Sequence, residues 1–258
     1  MILGAQFFTL RNLCKTTEGL DDCMKKVADI GFTAIQLSGV CAYEPEWVAE
    51  KAKEYGLEIV ITHTAYDKIV NDTDATIDFH KKMNCHYIGL GSIPGCRDIT
   101  PDKFGEFVTA IRPAAEKIAA AGLKFMYHNH DMEFAKNPEN GKTYLECIMD
   151  ALPAEILGTT LDTYWVQAGG ADPALWLRKT KGRNDCVHFK DMVYHIEDKK
   201  IRIATIGEGN MNYPAIIEAC REVGVKYGFV ELDNCYGADP IECMKKSYEY
   251  LTKSFGLK

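Results

Sequence analysis

The sequence predicts an α/β fold, a single (β/α)8 TIM barrel that spans residues 1–258. Three observations favour this class. Eight strand-like segments alternate with eight helix-like segments, and about 250 residues is the usual length of eight such units. A glycine closes several of the helix-like segments. No linker or low-complexity tract divides the chain, so we expect no second domain.

Each candidate strand is a short apolar or alternating run that is bounded by turn residues. In chain order, the strands are predicted at residues 3–8, 34–38, 59–64, 87–91, 125–130, 158–162, 186–190 and 228–232. The helices between them are predicted at residues 20–30, 45–55, 77–83, 104–121, 144–152, 174–180, 213–223 and 240–254. Residues 194–208 (YHIEDKKIRIATIGE) depart from this repeat. We expect a β-hairpin or an ordered loop there, which is a candidate lid.

Glycines separate helices from strands at four places. Gly31, Gly56, Gly122 and Gly224 each follow a helix-like segment and precede an apolar run. Glycine readily adopts the left-handed conformation that ends a helix, and short loops then lead to the next strand. A doubly wound open sheet is the main alternative, but it usually carries a glycine-rich motif after its first strand. Here the first strand continues into FFTLR, so we expect no dinucleotide site.

Composition excludes several classes of protein. The apolar fraction of 47% and the charged fraction of 26% are typical of a soluble globular protein and not of a disordered chain. The sequence contains no run of about 18 apolar residues, so we expect no membrane-spanning segment. The N-terminal residues do not resemble a secretory signal. We therefore expect a cytoplasmic protein whose ten cysteines, none in a CxxC motif, are reduced. A net charge of −7 argues against nucleic-acid binding.

Metal-binding residue types occur at the ends of the last four predicted strands. Asp162, His188 and Glu231 each lie in an otherwise apolar strand, and Glu133 follows the fifth strand. In a TIM barrel the carboxyl ends of the strands form the active-site face. A buried carboxylate needs a partner, and a metal ion is a common one. Because this pattern recurs on successive strands, it favours a metal site over isolated hydrogen bonds at the strand ends.

These residues belong to an ordered set of motifs. The set consists of YHNHDMEF (127–134), LDTYW (161–165), HFKD (188–191), GEG (207–209) and VELD (230–233). On these motifs the chain resembles the xylose isomerase-like TIM barrels of the sugar phosphate isomerase/epimerase superfamily, and within it an HNHDxEF branch. The resemblance covers essentially the whole chain. It implies a divalent metal ion whose ligands match Glu133, Asp162, His188 and Glu231.

The ligand from the fifth strand has alternatives. Ketose epimerases of this superfamily carry a glutamate inside the strand, before an asparagine, whereas residues 125–129 read FMYHN here. Glu133 must then reach the metal from beyond the strand, or His130 or a water takes its place. Carboxylates with one imidazole suit Mn²⁺, the favoured cofactor, with Mg²⁺, Co²⁺ or Zn²⁺ as alternatives.

The implied reaction begins with removal of a proton next to a carbonyl group. A divalent ion polarises the carbonyl and stabilises the enediolate, and Glu133 and Glu231 are the candidate acid/base residues. If the proton is returned to the enediolate, the enzyme is a sugar isomerase or epimerase. Loss of a β-substituent gives a lyase instead, of the inosose dehydratase or 3-keto-glycoside deglycosidase type. A non-catalytic sugar-binding subunit remains a further alternative.

Six residues are candidates for binding the substrate, a small sugar or keto-sugar. They are His63, His128, His130, Trp165, Lys190 and Glu208. The histidines can contact sugar hydroxyls or orient metal ligands, although structural histidines are as common. Lys190 shares a strand face with His188 and can bind a substrate oxygen or form a salt bridge. A homo-oligomer is possible, whereas we expect neither a membrane nor a nucleic acid as a partner.

Overall fold

A computed structural model describes residues 1–258 and shows a closed barrel of eight parallel strands. The barrel strands are β1 Ile2–Gln6, β2 Ala34–Leu37, β3 Glu58–His63, β4 Tyr87–Leu90, β5 Lys124–His128, β6 Leu157–Asp162, β7 Cys186–Phe189 and β10 Tyr227–Val230. Their order around the barrel is β1-β10-β7-β6-β5-β4-β3-β2. Two further strands, β8 Asp191–His195 and β9 Lys200–Ala204, form an antiparallel hairpin outside it. The predicted (β/α)8 fold is confirmed.

The helices occupy the connections between the strands. They are α1 Thr17–Ile30, α2 Pro45–Glu54, α3 Tyr66–Asn71, α4 Thr73–Lys82, α5 Pro101–Ala120, α6 Tyr144–Ala151, α7 Thr163–Ala168, α8 Pro173–Lys179, α9 Tyr213–Val223 and α10 Pro240–Phe255. Single 3-10 turns follow β1, β4 and β5. None of the helices is long and apolar enough to cross a membrane.

Local capping explains where the helices begin and end. The side chain of Thr16 accepts a hydrogen bond from the backbone N–H of Gly19 and so starts α1. Gly31 ends α1 with φ of 118°, and Gly224 ends α9 with φ of 80°. Residues with a side chain rarely adopt these positive values, which is why glycine marks both helix ends. The glycine pattern of the sequence thus predicted these helix ends correctly.

Several element boundaries differ from the sequence prediction. The first and fifth strands end two residues earlier than predicted, and a 3-10 turn begins at Phe7. Helix α5 begins at Pro101 because the Thr100 side chain caps it. The predicted helix at 77–83 is the later part of α4, which begins at Thr73, and the short helix α3 before it was not predicted. Helix α7 was not predicted, and the side chain of Asp162 caps it by accepting from the N–H of Trp165 at 3.0 Å.

Apolar side chains fill the barrel and the layer outside it. The inner cluster consists of Ala34, Val60, Ile61, Tyr87, Met126, Cys186 and Phe229. Gly4 lies against Phe229, since a Cβ at this position would come within 2.4 Å of the phenyl ring. The larger cluster packs the strands against the surrounding helices. The barrel is filled in this way, and the buried charged side chains of its strands lie towards its carboxyl end. All ten cysteines are unpaired.

The hairpin predicted within residues 194–208 begins slightly earlier, at Asp191. The carboxylate of Asp191 accepts hydrogen bonds from the backbone N–H groups of Gly207, Gly209 and Met211 at 3.0, 3.2 and 3.1 Å. A Cβ on Gly209 would lie 2.2 Å from this carboxylate. Asp191 therefore anchors the loop after the hairpin and leaves no room for a side chain at Gly209. Gly207 is required for a different reason, because its φ is 92° and a Cβ there would lie 2.5 Å from the Tyr250 ring.

Candidate metal centre and active site

Four side chains from adjacent strands converge at the carboxyl end of the barrel. They are His128 at the end of β5, Asp162 at the end of β6, His188 in β7 and Glu231 just after β10. One ligand atom from each lies within 4.8 Å of those of the other three. All four side chains are buried. These strands neighbour one another in the barrel, so the β-sheet itself places the four residues together.

One carboxylate oxygen lies near both histidines of the cluster. Asp162 Oδ2 is 3.2 Å from His128 Nε2 and 3.7 Å from His188 Nδ1. Burial raises the pKa of Asp162, but the facing ammonium of Lys190 and the His128 ring outweigh burial and hold that pKa well below its usual value. Asp162 is thus a buried carboxylate that keeps its charge.

Both histidines are oriented by carbonyl oxygens on their outer sides. His128 Nδ1 is 3.1 Å from the backbone oxygen of Gly91, and His188 Nε2 is 2.7 Å from Oε1 of Gln36. A carbonyl oxygen can only accept, so each of these ring nitrogens is the donor. In the neutral rings, the opposite nitrogens therefore present lone pairs to the cluster. Metal-binding histidines are commonly oriented in this way.

The contact between His188 and Glu231 indicates whether a cation fits in the cluster. His188 Nδ1 and Glu231 Oε2 lie 2.8 Å apart, yet neither atom has a partner in hydrogen-bond geometry. Two buried electron-pair donors at this distance repel each other unless a proton or a metal ion lies between or beside them. The charges of Glu231 and Asp162 overcome the effect of burial and raise the pKa of His188. The donor set fits a metal ion.

A lysine ammonium lies among the carboxylates of this cluster. Lys190 Nζ is 3.0 Å from Asp162 Oδ2, 3.1 Å from Glu231 Oε2 and 2.8 Å from Asp233 Oδ2. Although burial lowers the pKa of Lys190, these carboxylates raise it above its usual value. Once a metal ion takes the place of a proton on His188, three carboxylates and one ammonium leave two excess negative charges. A divalent cation would neutralise that excess.

A second layer of polar side chains supports the cluster. Gln6 Nε2 donates to Glu231 Oε1 at 3.0 Å, and Asn129 Oδ1 accepts from the backbone N–H of Asp162 at 3.0 Å. Gln36 and Asp233 belong to the same layer. The sequence analysis did not single out these four residues. The glutamines do carry a signal, because each is a polar residue buried near the carboxyl end of a barrel strand.

Glu133 does not lie in the four-residue cluster, although the resemblance implied it as a metal ligand. Its Oε1 accepts from the hydroxyl of Tyr127 at 2.5 Å, and its Oε2 accepts from the backbone N–H of His130 at 2.8 Å. Both carboxylate oxygens are therefore engaged. Burial raises the pKa of Glu133 despite these bonds. His128 occupies the place in the cluster that the sequence analysis assigned to Glu133 or His130.

Three of the predicted substrate-binding residues border the cluster. The His63 ring centroid is 5.2 Å from that of His128 and 5.7 Å from that of His188. His130 lies 4.8 Å from His128 and 5.2 Å from Trp165, again between ring centroids. His63 Nε2, His130 Nδ1 and Trp165 Nε1 have no hydrogen-bond partner in the protein. Each can therefore bind a polar atom of a ligand.

Glu208 lies apart from the cluster. Its side chain is 55% exposed and forms a salt bridge of 3.2 Å with Lys246 on α10. The backbone N–H groups of the adjacent Gly207 and Gly209 donate to Asp191 and hold this loop. The structure does not bring this predicted substrate-binding residue to the candidate site.

Residues 24–253 match the family model of the xylose isomerase-like TIM barrel, and the chain belongs to this family. Among curated proteins, the inosose dehydratase of Geobacillus kaustophilus is 18% identical over 198 residues. That match covers 68% of this chain but only 63% of the dehydratase, so just under two thirds of the relative is spanned.

Solved structures with similar folds include enzymes of sugar metabolism. A sugar phosphate isomerase/epimerase from Parabacteroides distasonis superposes with a TM-score of 0.82 at 22% identity, covering 99% of this chain and 95% of the other. An L-ribulose 3-epimerase superposes with a TM-score of 0.77 at 15% identity, with coverage of 99% and 95%. At these identities the likeness shows the shared fold.

Proposed function

We propose that this protein is a divalent-metal-dependent sugar isomerase or epimerase that removes a proton next to a carbonyl group. The observation that carries the proposal is the buried group of His128, Asp162, His188 and Glu231, in which one ring nitrogen of each histidine faces a carboxylate. The family and its isomerase, epimerase and dehydratase relatives support a small sugar as the substrate.

His128, Asp162, His188 and Glu231 would hold the metal ion. When bound, the ion would polarise the substrate carbonyl and stabilise the enediolate formed by loss of the neighbouring proton. Two carboxylates and two imidazoles form a mixed oxygen and nitrogen donor set, which suits Mn²⁺, Co²⁺ or Zn²⁺ better than Mg²⁺. We favour Mn²⁺, which is also the metal predicted from the sequence.

Glu231 is the proposed base. Gln6 fixes one of its oxygens, and the other faces the cluster. Burial raises the pKa of Glu231, but the ammonium of Lys190 and the ring of His188 outweigh burial and lower that pKa, so the carboxylate is ionised. A positioned base of this kind contributes about 10²–10⁴-fold to the rate.

Lys190 and the histidines at the edge of the cluster are proposed to bind the substrate. The ammonium of Lys190 would neutralise negative charge that develops on a substrate oxygen. Burial lowers the pKa of His130 to about 3, so its ring is neutral and would act as a hydrogen-bonding group. Trp165, 5.2 Å from His130, would form a wall of the sugar site. We propose that Glu133 positions His130 by accepting a hydrogen bond from the backbone N–H of His130.

Elimination is a second candidate outcome, and a specific observation favours it. Epimerisation by two bases needs an acceptor on each face of the substrate, but only Glu231 of the two expected glutamates lies in the cluster. One carboxylate base and one ammonium donor, Lys190, suffice for removal of a proton and departure of a β-substituent. A dehydratase or deglycosidase would use the same residues.

Deuterium exchange tests the proposal directly. Metal-free protein would be reloaded with Mn²⁺ and incubated in D₂O with ketoses, inososes and 3-keto-glycosides. We expect deuterium uptake at one carbon next to the carbonyl, and a loss of about 10²–10⁴-fold in Glu231→Gln. The matched control Glu208→Gln, an exposed site, should exchange normally. Full exchange by metal-free protein or by Glu231→Gln would refute the mechanism.

A further inference from the structure

A cavity of about 470 Å³ lies beside the candidate metal centre, on the side of β2 and β3. It is enclosed by the loop after β2, the end of β3 and the helices α3 and α4. Its volume falls within the range of about 300–1,000 Å³ that is usual for small-molecule sites. None of the four cluster residues lines it, so it is a separate compartment.

His63 joins this cavity to the cluster. The residue lines the cavity, and its ring also contacts the rings of His128 and His188. Ser38 Oγ, which belongs to the cavity wall too, is 3.1 Å from His63 Nδ1 and orients the ring. The opposite nitrogen, Nε2, has no partner in the protein. His63 therefore lies between the cluster and the cavity, and its free nitrogen can bind a polar atom of a ligand that extends from one to the other.

The cavity lining is amphipathic. Tyr43 and Phe79, with ring centroids 5.7 Å apart, supply an aromatic wall. Ser38, His63 and Thr64 supply polar groups, and about half of the lining residues are not hydrophobic. Aromatic walls with a few fixed polar groups are typical of sites that bind a flat or cyclic ligand. A pyranose ring, with apolar faces and a rim of hydroxyl groups, has matching chemistry.

The charges around the cavity indicate a neutral ligand. Lys68 and Asp72 both line it and carry opposite charges. A phosphate group would require an excess of positive charge or a set of convergent backbone N–H groups. One lysine opposed by one aspartate provides no such excess.

We propose that this cavity is a subsite for a neutral glycosyl group attached to the reacting sugar. The substrate would then be a carbonyl sugar that carries a second sugar ring, and not a free monosaccharide. This inference rests on the proposed function, because the cluster must hold the reacting ring. Tyr43, Phe79 and Ala75 are the specificity-determining residues of the subsite.

Binding measurements can test the subsite independently of turnover. The probes are D-fructose and four glucosyl-fructoses, namely turanose, maltulose, leucrose and isomaltulose, titrated calorimetrically into the full-length protein loaded with Mn²⁺. We expect at least one disaccharide to bind about tenfold more tightly than fructose. Equal or weaker binding of all four disaccharides would overturn the proposal.

Two substitutions that fill the cavity locate this preference. Ala75 on α4 and Ala42 in the loop after β2 both line the cavity and are exposed, so Ala75→Trp and Ala42→Trp should fold. Each should abolish the preference for the disaccharide and leave fructose binding unchanged. The control Lys81→Trp, on α4 but outside the cavity, should keep the preference. If the preference for the disaccharide survives in both tryptophan variants, the second ring binds elsewhere and the subsite is refuted.

The outcome also separates the subsite from the proposed function. Deuterium uptake without a disaccharide preference would refute the subsite and leave the proposed reaction standing. A disaccharide preference that both tryptophans abolish, without deuterium uptake from any carbonyl sugar, would support the subsite and refute the reaction.

Discussion

Replacing Lys190 by methionine should destabilise the metal-free protein and strengthen metal binding. The ammonium lies within about 3 Å of Asp162, Glu231 and Asp233, all in or beside the buried cluster. Methionine keeps much of the side-chain volume but removes the charge. The variant therefore leaves three carboxylates facing one another without a compensating cation.

The size of the effect follows from these distances. At an effective dielectric constant of about 20, an ion pair at 3 Å is worth about 5 kcal/mol before desolvation is counted. Removing one partner of a buried ion pair usually costs about 3–5 kcal/mol, because a buried charge loses its compensation. In a chain of this size, that loss corresponds to a fall of about 10 °C in the melting temperature.

Metal should reverse most of this loss. Without the ammonium, a divalent ion meets more negative charge and less repulsion, so it should stabilise Lys190→Met more than it stabilises the native sequence. Deuterium exchange by the reloaded variant should fall, because Lys190 no longer neutralises the substrate oxygen.

Thermal unfolding with EDTA and with Mn²⁺ measures both effects. Lys246→Met is the matched control, because that lysine pairs with Glu208 on the surface. The control should change stability by less than about 1 kcal/mol in either condition. If metal-free Lys190→Met is as stable as the native protein, or if the metal stabilises both equally, the assignment of Lys190 as the compensating charge is wrong.

Two further predictions concern residues that orient or border the site. Gln36→Leu removes the acceptor for His188 Nε2 and should weaken Mn²⁺ binding by about 10–100-fold in a competition titration. The exposed control Gln167→Leu should bind Mn²⁺ with the native affinity. Equal affinities of the two variants would refute the orienting role of Gln36. Burial lowers the pKa of His80 from 6.5 to about 4. Between these two pH values the folded state binds fewer protons than the unfolded state, because the folded ring stays neutral. About 3 kcal/mol of the free energy of unfolding should therefore be lost as the pH falls from 7 to 4. His80→Asn should flatten that part of the profile and His86→Asn should not, as measured by urea unfolding; an unchanged profile in His80→Asn would contradict this.

The sequence predicted the barrel because its signals are local and repeated. Gly31 and Gly224 end helices through their own backbone conformations, and alternating strands and helices admit few topologies. Boundaries set by side-chain caps were harder to predict. The cap of α7 is Asp162, whose role as a cap is visible only once β6 and Trp165 are positioned.

The candidate site was predicted in part, for a similar reason. Asp162, His188 and Glu231 were found because each interrupts an apolar strand and belongs to a motif of the superfamily. The residue that β5 contributes, for which the sequence prediction offered Glu133, His130 or a water and not His128, depended on where β5 ends. Since β5 ends at His128, the strand holds that side chain beside Asp162, while the 3-10 turn directs Glu133 back to Tyr127.

Lys190 gives the cluster a property that the four proposed metal ligands alone would lack. Asp162 and Glu231 are buried and would repel each other in a protein without metal, a costly arrangement. The ammonium of Lys190 contacts both carboxylates and so holds them near the positions from which they would bind an ion. It does not neutralise the cluster, because one ammonium faces two carboxylates there and Asp233 adds a third. Under the proposed function, the fold would therefore assemble the site before a metal binds, and the remaining negative charge would attract a divalent cation.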